Sequence, residues 1–202
     1  RTGSEKMEVI CGQGPAPAGA TLKHYKNLGL DLVPGTGLLA TVIPGAFDAW
    51  MLMLRDHGTL SLAEVFEPAL HYASQGIPVL ERIQKTISYV QQLFREEWPS
   101  SAEVFLPENE VPEVNQLLCN PVLAKTWSRI IRESEAVSGS RENQIDQARK
   151  TFYQGFVAEA MERFCLNEEV LDNSGRKHKG VLNGQDLAGW EATYEAPLTY
   201  HY

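Results

Sequence analysis

Long apolar runs are missing from this sequence of 202 residues. A helix that crosses a bilayer needs about 20 consecutive apolar residues. The best candidates here are broken early, by Pro44 and Gly45 in one case and by Arg55 and Asp56 in the other, so no membrane span is expected. Cysteine is scarce: Cys11, Cys119 and Cys165 are odd in number and far apart, which excludes a disulfide framework and favours a reducing compartment, the cytoplasm over the periplasm. No histidine stands at metal-ligand spacing from a cysteine, so neither a zinc site nor any other cofactor is expected. Basic charge is also short. With 18 Lys and Arg against 26 Asp and Glu, the net charge is −8, which argues against a nucleic-acid partner. The one dense basic patch, Arg176, Lys177, His178 and Lys179, lies between glycines and reads as a solvated loop. Repeats and low-complexity tracts are absent too. The first residues carry charge without an apolar stretch, so no signal peptide is visible.

What is present is a helix-former's sequence, 43% hydrophobic, enough for one real core. Alternation at Met7, Val9 and Cys11 predicts a short strand. Gly12, Gly14, Pro15, Pro17 and Gly19 then force an extended loop, and residues 21–28 form a short helix. Phe47, Trp50, Met51 and Leu54 make an i, i+3, i+4, i+7 stripe, stopped by Gly58. Ser61 with Glu64 has the form of a capping box for a helix burying Val65, Phe66, Ala69 and Leu70, kinked at Pro68 and ended by Gly76. Ile83, Ile87, Val90 and Phe94 mark a third long helix, and residues 98–120 read as an irregular connection. Asn120 caps a helix with Pro121 at its first position and Leu123, Trp127, Ile130 and Ile131 on its apolar face. Ser140 starts a short helix through Ile145 and Ala148, and another carries Phe156, Ala160 and Phe164 on one side. Asn183 with Asp186 opens a turn of helix ending near Trp190, and residues 193–202 alternate like a strand. The expectation is a single region, 1–202, of α+β class and mainly helical. The missing initiator Met and the strand-like opening mark it as an internal piece truncated at both ends.

Three stretches, in order, resemble the gamma-glutamyltransferase (gamma-glutamyltranspeptidase) family of N-terminal-nucleophile hydrolases. The first runs from Val42-Ile43-Pro44-Gly45 through Asp56-His57-Gly58-Thr59-Leu60 and Val65-Phe66-Glu67-Pro68-Ala69-Leu70 to Ala73-Ser74-Gln75-Gly76-Ile77-Pro78-Val79. The second is Phe152-Tyr153-Gln154-Gly155 with Ala158 and Glu159, and the third is Leu182 to Trp190 with Asp186-Leu187-Ala188. The resemblance implies that this chain is an internal part of the large subunit, within an α/β/β/α sandwich. It also implies a precursor that cuts itself before a threonine, which becomes the N-terminal nucleophile of a small subunit. The threonine's own amine would activate its hydroxyl. That small subunit is the implied partner, and a gamma-glutamyl (glutathione-type) or other acyl amide the implied substrate. No catalytic residue is expected in this chain, which lacks the nucleophile.

The resemblance also implies one substrate contact. The family's large subunit carries an arginine shortly before an Ala-Pro-Ala, and it pairs with the free carboxylate of the gamma-glutamyl group. Aligning Pro17-Ala18-Gly19-Ala20-Thr21 puts Gln13 at that position, with Cys11, Gly12 and Gly14 departing from the family's pattern. Glutamine donates hydrogen bonds but carries no charge. Losing a charge-assisted bond costs about 1.5–3 kcal/mol, a ten- to hundred-fold weakening. Either another cation reads the carboxylate, or the acyl group is not a plain gamma-glutamyl, or Gln13 is a loop residue turned away from the site. His57 and His71, with Asp56 and Glu67, could serve acid–base chemistry, but no nucleophile elbow accompanies them and structural roles are favoured. Three readings stand: a gamma-glutamyl transferase or hydrolase, a related acylase with another acyl group, and a non-catalytic helical relative.

Overall fold

The computed structural model describes residues 7–200. Along the chain run β1 (Val9–Cys11), α1 (Leu22–Asn27), α2 (Ala46–His57), α3 (Leu62–Gln75) and β2 (Ile77–Pro78). Then come α4 (Glu81–Glu96), α5 (Pro99–Phe105), β3 (Leu117–Leu118), α6 (Pro121–Glu135) and α7 (Arg141–Tyr153). The series closes with α8 (Phe156–Asn167), β4 (Val170–Leu171), β5 (Lys177–His178), α9 (Gly184–Ala188) and β6 (Thr193–Glu195). This is a mainly helical α+β chain. The strands form three antiparallel pairs, β1 with β6, β2 with β3 and β4 with β5. The residues gather into two compact units, one made of the chain up to Leu62 and from Arg132 onward, the other of Ala63–Ile131.

In the first unit α2 packs against α7. Phe47 stacks on Phe152 with ring centroids 4.4 Å apart, and Met51, Ile145 and Ala148 are buried beside them. Burying each large side chain contributes about 1.5–3 kcal/mol. The buried face of α2 is Phe47, Asp48, Met51 and Leu52, so Trp50, assigned to the core by its spacing, is instead 55% exposed. The face turned to α7 lies a position away from the expected stripe. Gly58 ends α2 in an extended conformation, its N–H on Leu54 O at 3.0 Å. The Arg141 guanidinium donates to the carbonyls of Leu54, Arg55 and Leu60, covering the helix end and complementing its dipole.

Side chains cap several helix starts, at Ser140 and Asn183 as their sequence signals predict. The Thr21 hydroxyl accepts from His24 N–H; Ser140 accepts from Asn143 N–H; Asn183 and Asp186 form a reciprocal capping box on α9. In α8 the buried residues are Val157, Ala158 and Cys165, whereas Ala160 and Phe164 are exposed. The basic patch is not a free loop: Lys177 and His178 form β5, and the turn before it is a hairpin in which His178 is buried. The final strand is only Thr193–Glu195, since residues 196–200 are not extended into a ladder. His201 and Tyr202 lie outside the described residues.

In the second unit the connection expected to be irregular contains α5, a short 3-10 turn at Pro107–Asn109 and β3. Pro99 at the first helical position opens α5, because its missing N–H is one that no helix start can satisfy. Phe94 packs on Trp98 and Phe105, joining α4 to α5. Gly76, at φ +93°, ends α3 where a side chain would meet Cys119 and Leu117. α3 runs through Pro68. Of the residues assigned to its apolar face, Phe66 is buried against Trp127, while Val65 and Ala69 are exposed. Asn120 caps α6 by accepting Leu123 N–H at 2.9 Å; Ile130 and Ile131 are buried and Leu123 is exposed. Among the described residues, no helix is long and apolar enough to cross a membrane.

Candidate functional site

Gln13 is exposed on the loop that leaves β1. Its neighbours explain why that loop needs glycine. A Cβ on Gly14 would lie 1.9 Å from the Ile43 carbonyl oxygen, and one on Gly12 would lie 2.8 Å from Ala49 Cβ. From the opposite wall, a Cβ on Gly45 would come within 2.3 Å of Gly12 O and 2.6 Å of the Trp190 ring. The Ile43 N–H donates to Pro15 O at 3.0 Å, closing the contact beyond Gln13. Gln13 is therefore presented by backbone packed on both sides against the start of α2.

Behind that start lies a cavity of about 220 Å³ lined by Asp48, Arg55, Asp146, Arg149, Tyr153 and Trp190, among others. Asp48, in the first turn of α2 and 2% exposed, accepts a bidentate pair from Arg149 Nε and Nη2, the latter at 2.9 Å. Its Oδ2 also accepts the Ala192 N–H at 2.7 Å. The same Arg149 donates to Asp146 at 3.1 Å, and Asp146 receives Arg55 at 2.9 Å. The hydrogen bond to Asp48 is the largest influence holding the Arg149 proton more firmly than usual. The Tyr153 hydroxyl donates to Pro44 O and accepts the Asp48 N–H. Burial pushes its ionisation well above the ordinary phenol range. Both arginines are thus committed to carboxylates, and the cavity is an ion-paired support.

At the other end of α2, Asp56 is held by Arg55 at 2.7 Å and accepts the Tyr194 hydroxyl at 2.9 Å. The hydrogen bond from Arg55 does most to keep the Asp56 carboxyl below the usual range. The Tyr194 hydroxyl also meets His57 Nε2 at 3.0 Å. With its single hydrogen given to Asp56 the hydroxyl can only accept there, which assigns the hydrogen to Nε2. Asp56 and His57 are brought together, but around a tyrosine and an arginine rather than a nucleophile. Glu67 and His71 belong to the second unit, where they line a shallow groove with Ser74 and Ser128. Among the described residues no group of three or more His, Cys, Asp or Glu could hold a metal ion. Cys165 is buried, and burial raises its thiol; Cys11 is half-buried and Cys119 exposed.

Sequence reasoning singled out Gln13 but missed Asp48, Arg149 and Ala192. Asp48 and Arg149 are 101 residues apart, and no local pattern links them. The one readable signal was an acid within the buried face of an amphipathic helix.

A helical α+β arrangement of this kind recurs in solved structures. It superposes on the gamma-glutamyltranspeptidase of Helicobacter pylori with a TM-score of 0.74 at 23% identity, over 96% of this chain and 49% of that one. On the cephalosporin acylase of Bacillus halodurans the TM-score is 0.77 at 24% identity, over 98% of this chain and 33% of that one. The chain belongs to the gamma-glutamyltranspeptidase family, whose profile matches residues 1–202. It is similar to the solved structure of LmbA2991HD, with 52% identity and a TM-score of 0.94 over 99% of this chain and 34% of that one. It is also similar to the glutathione hydrolase-like YwrD proenzyme of Bacillus subtilis (strain 168), 27% identical over 98% of this chain and 33% of the relative. The chain thus spans about a third of the length of the B. subtilis relative and of LmbA2991HD.

Proposed function

We propose that this chain is the helical part of the large subunit of a gamma-glutamyltransferase-like enzyme. The complete protein is an N-terminal-nucleophile enzyme with an α/β/β/α sandwich. It self-cleaves and then transfers or hydrolyses an acyl group through a threonine at the start of a small subunit. Attack by the threonine hydroxyl on the amide carbonyl gives an acyl-enzyme and releases the amine; water or an amino acid then takes the acyl group. Family membership supports this reading, as does the proenzyme naming of the B. subtilis relative. The role proposed for this chain rests on one observation: Gln13 is exposed on a backbone that glycine packing fixes in place. There it reads the carboxylate end of the acyl group.

A second reading is favoured by the same residue. Gln13 is neutral, and Arg55 and Arg149 are occupied by Asp56, Asp146 and Asp48. An acyl group other than a plain gamma-glutamyl fits that side chain better. Intact mass and N-terminal sequencing of the complete protein test the shared mechanism. A second chain beginning with threonine is expected, and a single uncut chain would leave the non-catalytic relative as the better account. The two acyl readings separate on Gln13→Arg. If the native donor is not gamma-glutamyl, this change should lower KM for glutathione by about ten- to hundred-fold. A fall in glutathione turnover on that change would favour the gamma-glutamyl reading.

A further inference from the structure

Asp48 is a buried carboxylate whose contacts go beyond joining two helices. An apolar residue of similar volume would fasten α2 to α7 at no desolvation cost, since buried ion pairs contribute little stability over a packed apolar core. What only an acceptor can do there is hold the Ala192 N–H, 2.7 Å from Oδ2. The next residue, Thr193, opens β6 and pairs directly with Cys11, two residues before Gln13. On the other side, the Tyr153 hydroxyl bridges the Asp48 N–H and the Pro44 carbonyl. That fixes the Pro44-Gly45 turn on which Gly12 rests and from which Ile43 reaches Pro15. The Ala192 approach to Gln13 therefore runs back to the Asp48 carboxylate, which Arg149 grips with two nitrogens, and the Pro44 approach runs to the Tyr153 hydroxyl, which holds the backbone N–H of the same residue.

We infer that Asp48, gripped by Arg149 and steadied by Tyr153, is a positioning residue: it sets where Gln13 is presented to the carboxylate end of the amide substrate. The inference rests on the role proposed for Gln13 above. Its geometry predicts coupling in one direction. Loosening Asp48 lets the Ala192–Thr193 side and the Pro44–Gly45 side move separately, so the glutamine spends less time in its binding pose. Substrate capture weakens while the threonine chemistry, supplied from another part of the protein, is unchanged.

The test uses the complete, self-cleaved protein with Asp48→Asn and the milder Tyr153→Phe, each alone and combined with Gln13→Ala. Two readouts are taken. Hydrogen exchange should speed by about ten-fold at the Ala192 amide, bonded to Asp48 Oδ2, in Asp48→Asn, and at the Ile43 amide, bonded to Pro15, in Tyr153→Phe, while buried α8 amides keep their rates. With glutathione as acyl donor, KM should rise by about ten-fold while kcat stays within about two-fold. In the Gln13→Ala background the same substitution should change KM no further, because coupled residues do not add. Tyr153→Phe should raise KM in the same direction by a smaller factor, from the Pro44 side, and it serves if Asp48→Asn does not fold. Unchanged exchange at Ala192 in Asp48→Asn, or KM effects that multiply with those of Gln13→Ala, would overturn the positioning role. If Gln13→Ala leaves KM unaltered, the substrate role of Gln13 fails instead; if glutathione is not turned over, the acyl group is not gamma-glutamyl. Exchange still decides the anchoring in that case.

Discussion

Gly14 and Asp172 show how much a single position settles. The Ile43 carbonyl lies where a Gly14 Cβ would have to go, 1.9 Å away, so Gly14→Ala forces backbone apart. Overpacking of this kind costs about 1–3 kcal/mol, which urea unfolding of the complete protein should register as a lower midpoint at unchanged slope. Asp172 accepts the Ser174 N–H at 2.9 Å and meets the His178 ring at 2.7 Å. Burial pushes its carboxyl up, but the hydrogen bonds from Ser174 and His178 outweigh it and leave the group below its usual range. A carboxyl lowered on folding stabilises above its unfolded value of about 3.9 and loses that contribution as pH falls through the folded value. Asp172→Asn should therefore flatten the acid limb of a stability–pH profile below about pH 4 and leave its slope at neutral pH alone. Tyr194 gives an alkaline counterpart. Burial first, and then the Asp56 carboxylate, push its phenol up to about 12. Phenolate absorbance lost on Tyr194→Phe should thus belong to the last tyrosines to ionise. Titration near pH 10 would contradict the bond to Asp56.

Among the elements, α9 and the α2–α7 pair carry the clearest expectations. The Asn183 side chain accepts from the Gln185 and Asp186 amides, and the Asp186 carboxylate returns a bond to Asn183 and takes another from Ala18 N–H. Asn183→Ala should cost about 1–2 kcal/mol and loosen residues 15–20 with the helix, readable as faster exchange at Ala18. Removing one partner of the Asp48–Arg149 pair leaves a buried charge, at about 3–5 kcal/mol. Arg149→Met should lower the thermal midpoint far more than Arg55→Met, whose partners are nearer solvent. The same elements show what the sequence could reveal. Caps at Asn120, Ser140 and Asn183 were legible because each depends on residues two or three apart. Burial at Trp50, Val65 and Phe164 was misjudged because a periodic stripe marks an apolar face without saying which partner covers it. α5 was missed because it has only seven residues, though Pro99 was a start signal in plain view.

For the whole molecule, the outstanding feature is uncovered apolar surface. Leu32 is 83% exposed and Tyr89 89%, and Leu22, Leu80 and Val122 are each above half. Such residues occur in both units, Leu22 and Leu32 in the first and Leu80, Tyr89 and Val122 in the second. With the chain spanning a third of its relatives, the remainder of the protein is the proposed cover. Residues 1–202 produced alone should bind a hydrophobic dye and associate as concentration rises; a monomer that ignores the dye would count against that cover. The family was legible in ordered motifs. The support beneath Gln13 was not, because it is made by Asp48, Tyr153, Arg149 and Ala192, which only the folded chain assembles.

The glycines at 12, 14 and 45 also bear on how such a protein changes over generations. A side chain would strike Ala49 Cβ at position 12, the Ile43 carbonyl at 14, and the Gly12 carbonyl and Trp190 ring at 45, so none of the three can vary without displacing a neighbour. Position 13 faces solvent and is under no such restraint. Substitution there is cheap for folding, which leaves one codon free to vary while its setting is inherited intact.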